Sequence, residues 1–193
     1  MSHGHGHAPS DGENKYIAVF ISVLALFLAI AETFAKGAQT NSIAYNVEAS
    51  NLWAFYQAKT IRQTAIKTAA EQFEVDAQLA RDPATKQILE KRIAAWKDEV
   101  ARYQSEPKAD GKGEGRRELQ QRAIAAGKKR DLYAEKYHHY EIASAAFQIA
   151  IVLASVFLIT HVVYMLWGAG ILCGLGLFFA IVGLFFPSAI HLF

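Results

Sequence analysis

His3, His5 and His7 alternate with Gly at the start of the chain. Imidazoles bind Zn, Cu or Ni, so this spacing offers a loose three-nitrogen set. A tail with no scaffold and no outer hydrogen bonds to orient the rings would bind weakly and unselectively, and a solvated tail is the simpler reading. His138 and Glu141 are three residues apart and can share a helix face, as a weak metal site or a proton relay would need. Placed beside Tyr140 at the start of an apolar run, they read better as membrane-interface residues. Two ionisable side chains lie inside apolar runs, Glu32 and His161, where charge is expensive and usually has a purpose. Their expected depths differ, so they do not pair within one subunit. Glu32 shares its expected level with Gln148 and His191, and these residues are candidates for a polar ring built across subunits. Snorkelling of Glu32 beside Lys36 competes with that reading.

Other catalytic patterns are missing. Gly111, Gly113 and Gly115 lie among charges with no preceding strand, unlike a phosphate-cradling loop. The single Cys, Cys173, sits in an apolar run, which rules out an intrachain disulfide and a cysteine cluster. No rigid element holds a Ser, His and acid together. The sequence therefore predicts neither an enzyme nor a cofactor, and no metal site is assigned.

The elements that must hold these residues are set by charge. All but Lys15 of the 20 Lys and Arg residues fall between Lys36 and Lys136, and the flanking segments are nearly uncharged. Apolar runs of about 18 residues or more can cross a hydrocarbon core of roughly 30 Å. The expected fold is an all-α membrane protein with three transmembrane helices and a long cytoplasmic antiparallel helical stalk, coiled-coil-like, between the first and second. The divisions are a His- and Gly-rich tail over 1–14, a first span over 15–36, a stalk over 37–142, and a transmembrane hairpin over 143–193. Lys128, Lys129, Arg130 and Lys136 precede the second span and Lys36 follows the first, against Lys15 alone outside. Positive residues near span ends stay cytoplasmic, so the N-terminus is expected outside and the stalk and C-terminus inside. The two spans of the hairpin are expected to meet at Gly168-Ala169-Gly170. Gly170 with Gly174, and Gly176 with Ala180, have the small-xxx-small spacing of close helix packing. With a net charge of +2 and its bases interleaved with acids, the chain is not built for nucleic acid.

Within the stalk, Asp82-Pro83 reads as a stop and restart, because Asp caps helices and Pro suits their first position. Leu89, Ile93, Trp96, Val100 and Tyr103 follow with four-three spacing, which places them on one seam. A flexible loop is expected over 106–115, rich in Gly. The next helix carries Leu119, Ala123, Ala126, Tyr133, Tyr137 and Tyr140 at similar spacing. The outgoing helix rises roughly 65 Å, against about 33 Å and about 40 Å for the two returning pieces, so a two-helix stalk with a broken return is the simplest assembly. A three-helix bundle within one subunit is the alternative. Two helices leave part of each seam wet, which predicts self-association.

Trp53, Phe55 and Tyr56 occupy adjoining faces, more than one seam can bury. They lie in the stretch Leu52-Trp53-x-Phe55-Tyr56-Gln57-Ala58-Lys59, which, with the first span and the closing apolar hairpin, resembles a bacterial family of small membrane proteins known only as a domain of unknown function. The resemblance implies a bacterial inner-membrane location and three spans, and transfers no catalytic residue. The function expected is a non-enzymatic homo-oligomer presenting its stalks as a scaffold or docking site, with lipids, further copies and a cytoplasmic protein as partners. The Trp53 group and the Leu89–Tyr103 seam are its candidate interface. The alternative is an oligomeric ion channel or small transporter with the stalks as a vestibule.

Overall fold

The structure is a computed structural model that describes residues 11–189. Among them the regular structure is helical: α1 (Asp11–Leu79), α2 (Pro83–Gln104), α3 (Arg116–Thr160), α4 (Val163–Phe185) and a 3-10 turn, Pro187–Ala189. The α1 helix runs for 69 residues because nothing in its sequence stops it. It has no Pro, and Gly37 in its middle costs only about 1 kcal/mol. Its end is forced by Asp82, whose backbone is extended and whose carboxylate accepts from the Ala84 and Thr85 N–H groups at 3.3 and 2.9 Å. Those bonds hold the Asp82 carboxyl below its usual range, with the Thr85 hydroxyl contributing most at 2.7 Å. Pro83 then occupies the first position of α2, where a missing N–H costs nothing.

Three helices, α1, α3 and α4, are long and apolar enough to cross a membrane. Their apolar windows are only 17%, 33% and 22% buried inside the chain, so most of that surface faces outward, as lipid-facing helices require.

Contacts divide the chain into two compact units, residues 43–130 and the segments flanking them. In the flanking unit, Phe147 of α3 is 1% exposed and stacks on Phe27 of α1 at 5.8 Å between ring centroids. Ala143, Ala150 and Ala154 surround it on α3, together with Leu24, Ala31 and Ala169. Small residues let apolar helices approach closely where no hydrophobic drive exists between them. Ala35 and Ala38 form a second cluster with Tyr133, Tyr137 and Tyr140.

The join between the last two long helices differs from the expected one. It falls at His161-Val162, and Gly168, Ala169 and Gly170 lie inside α4. His161 takes φ +56°, the left-handed conformation that ends many helices, and its N–H donates to the Phe157 carbonyl at 2.8 Å. Gly168 is used for space: a Cβ there would stand 3.1 Å from the Leu153 side chain. His161→Gly should raise stability by about 1 kcal/mol by removing the cost of positive φ. Detergent-solubilised thermal unfolding checks this, and a lower midpoint would give the greater weight to the ring contact with Phe157 at 6.1 Å.

In the 43–130 unit, less exposed positions of α1 include 49, 52, 56, 59, 63, 66, 70, 73 and 77, a series with three-four spacing. Ala49 and Leu52 pack on Leu119, Ala123 and Ala126 of α3. Further along, Phe73 meets Trp96 of α2 at 4.8 Å and Glu74 pairs with Lys97 at 2.7 Å. Partners on α2 and α3 fall in number as those on α1 rise, so both run antiparallel to it. They take successive lengths of α1, α3 at Ala49 and Leu52 and α2 at Phe73 and Glu74.

Candidate functional site

The junction of α1, α2 and α3 in the 43–130 unit is held by a polar cluster centred on Arg116. Its Nη1 donates to Gln63 Oε1 at 2.5 Å and to Gln104 Oε1 at 3.2 Å, and its Nη2 donates to the Tyr56 hydroxyl at 3.0 Å. The guanidinium also lies over the Tyr56 ring, 5.0 Å from its centroid. Gln63 is 4% exposed and spends its amide on the Val100 carbonyl at 3.1 Å and on Gln104 at 3.3 Å. Arg116 Nε is buried without a partner. A planar donor fork suits this position because it reaches groups on two neighbouring helices from the first turn of its own.

The chain between α2 and α3 is tied to the same end of the unit. Glu118 accepts from the Ser105 hydroxyl at 2.6 Å and from the Glu106 N–H at 3.1 Å. Gly115 sits where a Cβ would strike Glu118, the Glu106 N and the Ser105 Cα, and a Cβ on Gly113 would lie 2.7 Å from the Glu106 carbonyl oxygen. Glycine supplies room at both positions, whereas Gly111 supplies a backbone at φ +70°. Lys59 reaches Glu106 at 3.7 Å and lies over the Tyr103 ring. Burial alone would push the Glu118 carboxyl up, but the Ser105 and Glu106 hydrogen bonds outweigh it and hold the group below its usual value. A carboxylate depressed in the folded state stabilises fully above its unfolded pKa and loses that contribution as pH falls through the folded one. Acid should therefore loosen the loop below the ordinary glutamate range, and Glu118→Gln should flatten the acid limb of a stability curve without altering the neutral plateau's slope.

The residues singled out from the sequence fall into separate places. Glu32 and Gln148 are brought together, but within one chain: Gln148 Nε2 donates to Glu32 Oε1 at 3.2 Å from α3 to α1. His191, and His3, His5 and His7, lie outside the described residues. His138 and Glu141 stand 3.7 Å apart, and Glu141 also accepts from the Tyr137 hydroxyl at 3.1 Å. Among the described residues no three His, Cys, Asp or Glu side chains gather as a metal site would need.

Tyr56 turns into the seam, while Trp53 and Phe55 remain 38% and 55% exposed. Trp53 sets its edge against Tyr56 at 5.5 Å. On α2, Ile93 is buried and Leu89, Trp96, Val100 and Tyr103 are half-buried. Among the small residues of α4, Gly170 and Gly174 have open space beside them. Close approach is made instead at Gly176, where a Cβ would meet the Phe147 ring at 2.7 Å, and at Gly183, where it would meet His139 at 2.9 Å. Ala180 packs against the same cluster as Phe147.

His139 adjoins His138 in the sequence but is placed differently. It is 1% exposed, has Nε2 2.9 Å from the Pro187 carbonyl oxygen, and stacks on Phe179. Its helical phase separates it from half-buried His138, because it shares a face with Ala143, Ala146 and Ala150. The Arg116 cluster carried no such signal, since its members are scattered along the sequence.

These groups clasp helices together. The polar cluster fixes the crossing point of three elements, and the His139, Gly176 and Gly183 contacts fix α3 against α4. Comparison with curated proteins and with solved structures finds no match. A family model does match, over residues 13–186, and the chain belongs to the family it describes, Domain of unknown function (DUF4337).

Proposed function

We propose that this is a non-enzymatic, self-associating protein of the bacterial inner membrane. Its polar helical segment forms a cytoplasmic, coiled-coil-like stalk that serves as a scaffold or docking site, with the N-terminus outside. The observation that carries this reading is the apolar surface left in water by the charged part of α1. Phe55, Ile61 and Leu79 are 55%, 70% and 74% exposed there, in a stretch that also holds Lys59, Arg62, Glu71 and Asp76. A lone helix hairpin that keeps such side chains exposed is built to have them covered. The concentration of Lys and Arg between the first and second apolar runs supports the cytoplasmic side for this segment.

The channel reading draws less support. Glu32 and Gln148 pair with each other inside one chain, so this pair needs no second subunit to form. Native mass spectrometry of the whole protein released from a mild detergent tests the proposal. A defined multiple of the chain mass is expected, and a single-chain mass at every concentration would remove self-association from it.

A further inference from the structure

The buried seam of α1 is matched by a second one on its outer side. Positions 47, 51, 54, 58, 61, 65, 68, 72, 75 and 79 repeat with the same four-three spacing, and every one of them is exposed. None carries a charge. The stretch they span holds Glu48, Lys59, Arg62, Lys67, Glu71, Glu74 and Asp76, all of which fall on other faces. The large members are far from covered: Val47 is 53% exposed, Ile61 70%, Val75 50% and Leu79 74%. A period of 3.5 residues keeps such a stripe facing a neighbouring helix over its whole length, which a single exposed apolar residue does not do. The inner seam has that neighbour in α2 and α3. The outer one, beyond Arg122 of α3 near Val47 and Asn51, has no such neighbour among the described residues.

We propose that this outer stripe of α1 is the surface on which a second copy of the same chain docks, parallel and in register. The inference rests on the membrane-anchored, self-associating reading above. Copies inserted in one membrane leave it in the same sense, so the helical segments that follow the first apolar run start side by side and point the same way. In a parallel pair, the stripe meets its own residues at equal depth, Ala58 against Ala58 and Ile61 against Ile61. An uncharged stripe suits itself as a partner, whereas a charged protein would find no complement on it.

The area is sufficient. The 47–79 stretch rises about 48 Å, and a contact roughly 10 Å wide along it removes on the order of 1,000 Å² in total from the two copies, the lower bound for a specific interface. Residues flanking the stripe set the register. Parallel pairing brings each flanking residue near the one five positions on in its partner, which places Glu71 of one copy by Asp76 of the other. This is the one like-charged pair that the parallel arrangement creates along the stripe, and it makes a distinctive prediction.

The test uses the full chain in mild detergent with Cys173→Ala as background. Ala58→Cys should form an intermolecular disulfide under mild oxidation, and Lys67→Cys, on another exposed face, should not. Ile61→Glu should raise the concentration for half-association about tenfold or more, with helicity by circular dichroism unchanged. Glu71→Gln should lower it. A multi-copy mass that persists in Ile61→Glu, with no Ala58→Cys link, would overturn this interface while leaving self-association standing through another face. A single-copy mass for the unsubstituted chain would overturn both. Weaker association of Glu71→Gln would overturn the parallel register.

Discussion

Gly176→Leu is expected to cost about 3 kcal/mol, the upper end of what overpacking a well-filled core exacts. The reason lies in what surrounds the position. A Cβ at Gly176 would stand 2.7 to 3.0 Å from three atoms of the Phe147 ring. That ring cannot step aside, because it is 1% exposed and stacked on Phe27, with Ala143, Ala150 and Ala154 in the same cluster. Relief therefore requires α3 and α4 to separate, and separation opens every contact along them. Gly170→Leu is the matched control. It lies six residues away on α4 with nothing within 4 Å of its Cβ position, so it should be neutral or gain several tenths of a kcal/mol from better helix propensity. Unfolding midpoints of both variants in mixed micelles of mild detergent and dodecyl sulfate measure the difference. Equal midpoints would mean that the two helices tolerate a wider spacing than the Phe147 contact implies.

That contrast also shows where the sequence was readable. Spacing alone put Gly170, Gly174, Gly176 and Ala180 on equal terms, since small residues four apart look alike in any apolar run. Which glycine meets a neighbour depends on the facing residue, and Phe147 lies nearly thirty positions earlier. The same limit misplaced the hairpin join. Gly168-Ala169-Gly170 has turn composition, yet inside a packed apolar helix glycine serves close approach, and the left-handed residue is His161. Asp82-Pro83 was legible because its physics is local: a carboxylate two and three residues from the N–H groups it caps, and a ring that fixes its own φ. The long apolar runs were legible for the same reason, as was the Leu89–Tyr103 seam. Glu32 and Gln148 were placed at one level correctly, but the pair closes inside the chain, because α1 and α3 pack directly there. Nothing in a one-dimensional pattern distinguishes a partner on the next helix from one on the next molecule.

Breaking the Arg116 cluster from one side should be far more damaging than removing it. Gln63→Leu leaves Nη1 of Arg116 without its shortest acceptor, and Arg116→Met leaves the Oε1 of a glutamine that is 4% exposed without its donor. A hydrogen bond to a charged group is worth about 1.5–3 kcal/mol, and an abandoned buried partner forfeits its hydration as well. Each single variant should therefore lose about 2 kcal/mol. The double variant replaces both by apolar groups of similar volume, for which the desolvation cost disappears along with the bond, and it should return to within about 1 kcal/mol of the starting protein. Denaturant unfolding of the four proteins gives the coupling directly, since residues in one network fail to add. Strict additivity would mean that water already reaches Arg116 and that the tie to Gln63 contributes little. A large coupling would make this cluster the clasp that holds the two returning helices on α1, and with them the outer stripe in the straight geometry that a second copy would need.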